Sequence, residues 1–293
     1  MRALLVLWLV ALVACPAAGL DRIRVVTTLP DLADWVREIG GDRVEVRSLL
    51  RGFENPHTYE PRVSDVKAVA GSRVLVRVGL GLEEWIDGLV ENSRNSELIQ
   101  IVAAEGVPVL DAGEHEVHGH GAGNPHVWLD PGRAAIMCRN IARGLEAADP
   151  FAGTYYQERL RAYLARLERT AEAIRQRVRS LKDRRFISYH PAWPYFAEGL
   201  GFELVGVVTR VPGQEPSARS LARLVDRIRA ERIRVLVTEP QLPSEIPELL
   251  REETGIRVVT LSPLLGVGPA KTYLELLERN STLLIEALSE ASP

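Results

Sequence analysis

The sequence predicts an α/β fold made of two α/β lobes bridged by one long rigid helix. Three observations carry this. Short β-branched runs alternate with helically spaced segments in the first half of the chain, the signature of a parallel sheet covered by helices. The same alternation resumes in the last third. Between them, Leu160, Leu164, Leu167, Ala171, Ile174, Val178 and Leu181 recur in steps of three and four, one narrow apolar stripe along a helix of roughly 30 residues, or about 45 Å at the α-helical rise.

Taken in order, Ile23 to Thr28 reads as a first strand. Leu32 to Ile39 has helical spacing and stops at Gly40-Gly41. Val44 to Leu50 is a second strand, followed by a helix from Ser64, a candidate N-cap, through Ala70. Val74 to Val78 is a strand, Gly79-Leu80-Gly81 a turn, and Glu83 to Glu91 a helix. Ile99 to Val102 and Val107 to Leu110 read as short strands, and Gly132 to Ala147 as a helix. After the long helix come strands at Phe186–Tyr189, Phe202–Val208, Val235–Thr238 and Ile256–Leu261. Helices separate them around Phe196, after Glu215-Pro216-Ser217 and from Ile246 to Thr254, and Thr272 to Leu288 closes the chain. The expected organisation is therefore an export signal over 1–19, an N-terminal α/β lobe over 20–150, a linking helix over 151–183 and a C-terminal α/β lobe over 184–293.

The long helix carries Arg159, Arg161, Arg166, Arg169, Arg175, Arg177 and Arg179 on its other faces. Such a run is usually a solvated face, with a docking surface or a contact with anionic lipid as alternatives. The overall balance is unremarkable: 46% hydrophobic, 26% charged and a net charge of −3, which gives no support to nucleic-acid binding. The start of the chain departs from it. Met1-Arg2 followed by the apolar run Ala3 to Ala14 has the form of an export signal and is too short for a permanent membrane span. Leu12-Val13-Ala14-Cys15 resembles a lipoprotein box, which would make Cys15 a lipid anchor, while Ala17-Ala18-Gly19 offers ordinary cleavage. Under either reading Cys138 has no disulfide partner in the mature chain and reads as a buried apolar residue.

Two stretches of similar form stand out: Asn55-Pro56-His57-Thr58-Tyr59-Glu60-Pro61 and Asn124-Pro125-His126-Val127-Trp128-Leu129-Asp130-Pro131. Proline fixes its own φ and restricts the residue before it, so each histidine sits on a stiff loop with a defined direction. Ser188-Tyr189-His190-Pro191 places a third histidine at a strand end. Ligands of open α/β sheets sit beyond the carboxyl ends of the strands, so His57, His126 and His190 are expected to converge on one metal ion in the cleft between the lobes. Their wide separation excludes a zinc-finger arrangement. Neutral imidazole suits zinc, and manganese prefers oxygen, so Zn2+ is expected over Mn2+. Glu239, at another strand end, is a candidate fourth ligand. Glu60 and Asp130 are candidates to orient the imidazoles from outside. The glycine-rich segment Asp111 to Gly123 holds His115, His118 and His120, an accessory set able to hold zinc loosely.

These residues, with Gly79-Leu80-Gly81-Leu82-Glu83-Glu84-Trp85, Glu215-Pro216-Ser217 and Thr238-Glu239-Pro240-Gln241, resemble the metal-binding proteins of ABC importers for zinc and manganese, the cluster A-I or zinc-uptake type of solute-binding protein. The resemblance runs from about Ile23 to the final helix. It implies a non-enzymatic, monomeric carrier, periplasmic or otherwise extracytoplasmic, that captures zinc and delivers it to an ABC permease in the cytoplasmic membrane. It also implies metal bound by residues matching His57, His126 and His190. The sequence departs from the pattern at Leu261-Ser262-Pro263-Leu264, where the family often has an acid that completes the site and this chain has Ser262. The fourth position then falls to water, the preferred reading, or to Glu239. Two competing functions are a zinc-dependent hydrolase, because three histidines and a water also describe catalytic zinc, and a lipid-anchored adhesin with incidental metal.

Overall fold

The computed structural model describes residues 22–110, 123–209 and 216–289. The first lobe contains β1 (Ile23–Thr27), α1 (Pro30–Gly40), β2 (Val44–Ser48), α2 (Val63–Ala70), β3 (Val74–Arg77), α3 (Ile86–Ser93), β4 (Ile99–Val102) and α4 (Pro131–Ala148). The long helix is α5 (Gly153–Arg179). The second lobe contains β5 (Arg185–Ser188), α6 (Pro194–Leu200), β6 (Glu203–Val207), α7 (Ala218–Glu231), β7 (Val235–Thr238), α8 (Ile246–Thr254), β8 (Arg257–Thr260) and α9 (Tyr273–Ser289). Both sheets are parallel, and their strand orders are equivalent: β2-β1-β3-β4 and β6-β5-β7-β8. In each, the chain reverses its direction of winding beside the first strand, between β1 and β3 and between β5 and β7, which opens a crevice at the carboxyl ends of that pair.

Helix α5 buries Tyr156, Leu160, Tyr163, Leu167, Ala171, Ile174 and Val178, the predicted stripe with Tyr156 added before it and Tyr163 within it. Leu164 and Leu181, expected on that stripe, are half-buried at its margin. The arginine-rich faces are tied to both lobes. Arg166 pairs with Glu38 of α1 at 2.5 Å, and Arg159 Nε donates to the Glu38 carbonyl at 2.8 Å. Arg175 Nε donates to the Gly199 carbonyl of α6 at 2.9 Å, and Arg177 pairs with Glu278 of α9 at 3.0 Å. Much of the charge run is thus spent on holding the helix in place. Its apolar stripe lies in one continuous core that runs from β1 and β3 through α4 and α5 to Phe186, Val235, Val237 and α9. A smaller core of Ile187, Leu236, Ile228 and Leu250 sits on the other side of the second sheet. Cys138 is buried and free.

Two local expectations are corrected. Val107 to Leu110 is not a strand: Val107 N–H closes a turn on the Ala104 carbonyl, and Leu110 N–H is taken by the Tyr195 hydroxyl of the other lobe at 3.1 Å. Ser64 does not cap α2. The N-cap is Arg62, whose N–H donates to the Asp65 carboxylate at 2.8 Å, and Tyr59 Oη donates to the same oxygen at 2.8 Å.

Candidate metal centre

The site is assembled from four loops. His57 follows β2, His126 lies between β4 and α4, and His190 and Glu239 directly follow β5 and β7, the pair that flanks the crevice of the second sheet. In the first lobe the equivalent crevice is filled by the chain itself. Glu83 is buried there and accepts from Thr28 Oγ1 at 2.7 Å, Val78 N at 2.7 Å and Gly79 N at 3.0 Å, with its pKa raised by burial. Glu83 thereby holds the turn Gly79-Leu80-Gly81, all three residues of which have positive φ. The next turn sends Trp85 Nε1 to the Pro56 carbonyl at 2.8 Å, which props the His57 loop from below.

The two Asn-Pro-His motifs are built alike. In each the asparagine Oδ1 accepts from the histidine N–H at 3.0 Å, an Asx turn closed over the proline. Asn124 does more. Its Nδ2 donates across the cleft to the Pro191 carbonyl at 2.6 Å, and its Oδ1 also meets His126 Nδ1 at 2.8 Å. The backbone partners fix which way the amide points, so Oδ1 is an acceptor and His126 carries its proton on Nδ1. Its Nε2 is therefore left with a lone pair, the form that binds a metal.

His57 Nε2 and His126 Nε2 stand 3.2 Å apart. Two nitrogens on a tetrahedral zinc at roughly 2.0–2.1 Å would be roughly 3.3 Å apart. His190 completes the group, with candidate ligand atoms of all three histidines within 4.8 Å of one another. His126 and His190 are each 2% exposed, and His57 is half-buried. His190 Nδ1 lies 3.3 Å from Glu239 Oε2, close enough for an ion pair but not aligned as a hydrogen bond, and neither of its ring nitrogens has a hydrogen-bond partner. Glu239 Oε1 accepts from Trp193 Nε1 at 2.8 Å. The histidines, Glu239, Gln241 and Trp128 line a cavity of about 10 Å³, room for about one water-sized sphere.

Glu239 is not one of the three mutually close residues; it stands behind His190. The two other carboxylates expected to orient imidazoles do not do so. Asp130 caps α4, accepting from Gly132 N at 2.5 Å and Arg133 N at 3.0 Å, and pairs with Arg133 Nη1 at 2.6 Å. Glu60 is exposed. The side chain that does hold an imidazole is Asn124, through His126 Nδ1, whereas Glu239 Oε2 only stands beside His190 Nδ1. Ser262 is 8% exposed and turned away: its Oγ donates to the Leu264 carbonyl at 2.7 Å, and Asn280 brackets its backbone at 3.2 and 2.7 Å. Cys15, Glu215 and the accessory histidines His115, His118 and His120 lie outside the described residues.

Two parallel α/β lobes on a stiff helix, with three imidazoles from both lobes meeting in an atom-sized cavity, define a solute-binding protein for a single transition-metal ion. The comparison with known families agrees. Residues 25–287 match the ZnuA family, zinc-uptake complex component A, periplasmic, and the chain belongs to that family. It is similar to the high-affinity zinc uptake system protein ZnuA of Bacillus subtilis strain 168, at 26% identity over 282 residues, covering 92% of this chain and 88% of that one. Among solved structures it is similar to a ZnuA deletion mutant with zinc bound, with TM-score 0.82 and 29% identity, covering 92% of this chain and 100% of that one. It is also similar to the solute-binding protein FpvC of Pseudomonas aeruginosa in complex with Mn2+, with TM-score 0.79 and 30% identity, covering 92% and 98% of the two chains.

Proposed function

We propose that this protein captures one zinc ion outside the cytoplasmic membrane through His57, His126 and His190 and delivers it to an ABC permease. The observation that carries the ligand set is the meeting of the three imidazoles within 4.8 Å, drawn from loops of both lobes. Zinc is cargo here, held by neutral ligands that can let it go. His126 binds through Nε2 because Asn124 takes the Nδ1 proton. His190 binds likewise through Nε2, with Nδ1 turned to Glu239. Glu239 serves as an outer carboxylate beside His190 Nδ1. The protein works as a monomer, since one chain supplies the whole site. Cys15, if lipidated, anchors it to the membrane.

Membership of the zinc-uptake family, with similarity to a zinc uptake protein over nearly the whole chain, supports the carrier over a zinc hydrolase. The test is metal analysis and competitive titration of the purified mature protein. One tight zinc per chain is expected, with manganese much weaker and a melting temperature that rises with zinc by the linkage RT ln(1 + [L]/Kd). Stoichiometric manganese at comparable affinity, or melting unmoved by saturating zinc, would overturn the reading.

A further inference from the structure

Three neutral imidazoles leave one position of a tetrahedral ion to be filled, and the serine at 262 cannot fill it from where it points. We propose that Gln241 does, with its side-chain Oε1 as a direct, neutral fourth contact to the captured ion. The proposal rests on the three-histidine reading above and adds a residue that sets the charge, and so the selectivity, of the site.

The argument starts from the orientation of one amide. Gln241 Nε2 is 2.5 Å from the Gly52 carbonyl and 3.2 Å from Ser262 Oγ. The carbonyl can only accept. The Ser262 hydroxyl has committed its proton to the Leu264 carbonyl at 2.7 Å, so toward Gln241 it also offers only lone pairs. A flipped amide would set Oε1 against two acceptors; the nitrogen must therefore face them. Oε1 is then the atom left over. It is shielded from solvent and has no hydrogen-bond partner, although buried polar atoms are nearly always satisfied. Gln241 lines the same cavity as His57, His126 and His190. An orphaned acceptor on a residue that lines the same small cavity as three imidazoles is satisfied once a cation is captured there. The cavity holds about one water-sized sphere at about 10 Å³, so an ion and a water bridging it to the amide oxygen would compete for the same space.

The consequence is a site with no formal negative charge among its direct contacts. That favours zinc, which accepts imidazole readily, and disfavours manganese, which wants anionic oxygen. Gln241 also joins the fourth position to the first lobe. Gly52 and Gly266 face each other across the seam with positive φ, and a side chain on either would collide with the carbonyl of the opposing loop, at Leu265 and Arg51 respectively. The amide of Gln241 reads that close approach through the Gly52 carbonyl.

The test uses Co2+ as a spectroscopic stand-in for zinc, with competitive zinc and manganese titrations, on the mature protein and on Gln241→Met, Gln241→Glu and Ser262→Ala. Gln241→Met, similar in volume but without an amide oxygen, is expected to change the ligand-field spectrum of bound Co2+ and to weaken zinc about tenfold to a hundredfold. Gln241→Glu keeps an oxygen in place and adds charge; it is expected to retain zinc and to raise manganese affinity at least about tenfold. Ser262→Ala removes a partner of the amide nitrogen but not Oε1, and is expected to leave the Co2+ spectrum unchanged. An unchanged spectrum in Gln241→Met, unchanged manganese affinity in Gln241→Glu, or a Ser262→Ala spectrum altered as much as that of Gln241→Met would each overturn the proposal. If Gln241→Met fails to fold, the other two variants decide. Tight zinc in the parent protein that is lost in His190→Ala would keep the three-histidine reading standing in any of those cases; absence of tight zinc in the parent would remove the reading itself.

Discussion

The two lobes meet along two seams of opposite character. The first surrounds the histidines: Asn124 reaches the Pro191 carbonyl at 2.6 Å, Trp128 Nε1 the Pro263 carbonyl at 2.8 Å, and Gln241 the Gly52 carbonyl at 2.5 Å. The second runs from the start of α1 to the segment before α9. There Asp31 accepts from Leu265 N at 3.1 Å, Asp34 accepts from Tyr273 N at 2.9 Å, and the Tyr273 ring meets Trp35 edge-on at 4.9 Å between centroids. At the first seam, His190 and Gln241 carry buried atoms that lack hydrogen-bond partners and that a cation would satisfy. At the second, burial suppresses charge, pushing Asp31 up to about 8 and Asp34 up to about 6. The difference lies in what surrounds the unpaired atoms: at the first seam they belong to imidazole and amide groups lining a cavity, whereas at the second Asp31 Oδ1 and Trp35 Nε1, also without hydrogen-bond partners, are packed against the core. A bound ion should act on one and be indifferent to the other.

The largest effect that tests this separation comes from His190→Ala. Removing a direct ligand should weaken zinc more than the tenfold to hundredfold typical of supporting groups, while the melting temperature of the metal-free protein changes little. The separation breaks if the variant binds zinc as the parent does, or if the metal-free protein melts far lower. A step smaller is Glu239→Gln. The amide can still accept from Trp193 but offers His190 Nδ1 no charge, so zinc should weaken about tenfold to a hundredfold. Titration with zinc measures it, and wild-type affinity would mean that Glu239 supports the loop and not the ligand. Smaller again is the contrast between the two Asn-Pro-His motifs. Asn124→Ala removes the Asx turn, the imidazole contact and the cross-cleft bond, whereas Asn55→Ala removes one Asx turn. Zinc affinity should fall further in the first variant, and equal losses would show that the backbone turn alone matters.

The same division explains what was legible in the sequence. The strands and helices followed from local periodicity, and most ends shifted by only one to three residues. Val107 to Leu110 misled because its Leu110 N–H is satisfied by Tyr195, a partner 85 residues away. The convergence of the three histidines was legible because proline marks each loop. The side chains around them were not, Glu239 having been read as a candidate ligand, because their partners are distant: Trp193 meets Glu239 across 46 residues and Gln241 meets Gly52 across 189. The asparagine two places before each Pro-His histidine was the available signal, since an Asx turn needs no long-range contact. Asp130 was misread because a carboxylate ahead of Pro131 and two residues short of a helical run is first of all an N-cap.

The smallest expected effect belongs to the second seam and concerns pH. An aspartate has an ordinary pKa of about 3.9 in an unfolded chain. Asp31 and Asp34 are raised above that in the folded protein, chiefly by burial, so the folded state binds their protons more tightly. The stability they contribute is fully present below the unfolded value and is lost as pH rises, for Asp34 until about pH 6 and for Asp31 until about pH 8. Asp31→Asn keeps a side-chain carbonyl for Leu265 N–H and removes the proton. The metal-free variant should therefore melt progressively higher than the parent as pH rises from 5 to 8. A gain of about 2–4 °C at pH 8 corresponds to roughly 1 kcal/mol in a protein of this size. Zinc affinity at constant pH should not change, because Asp31 lies on the seam that the ion does not touch. Parallel melting curves across that pH range would show that the charge is carried elsewhere. A shift in zinc affinity would show instead that the two seams are coupled, and that closing one tightens the other.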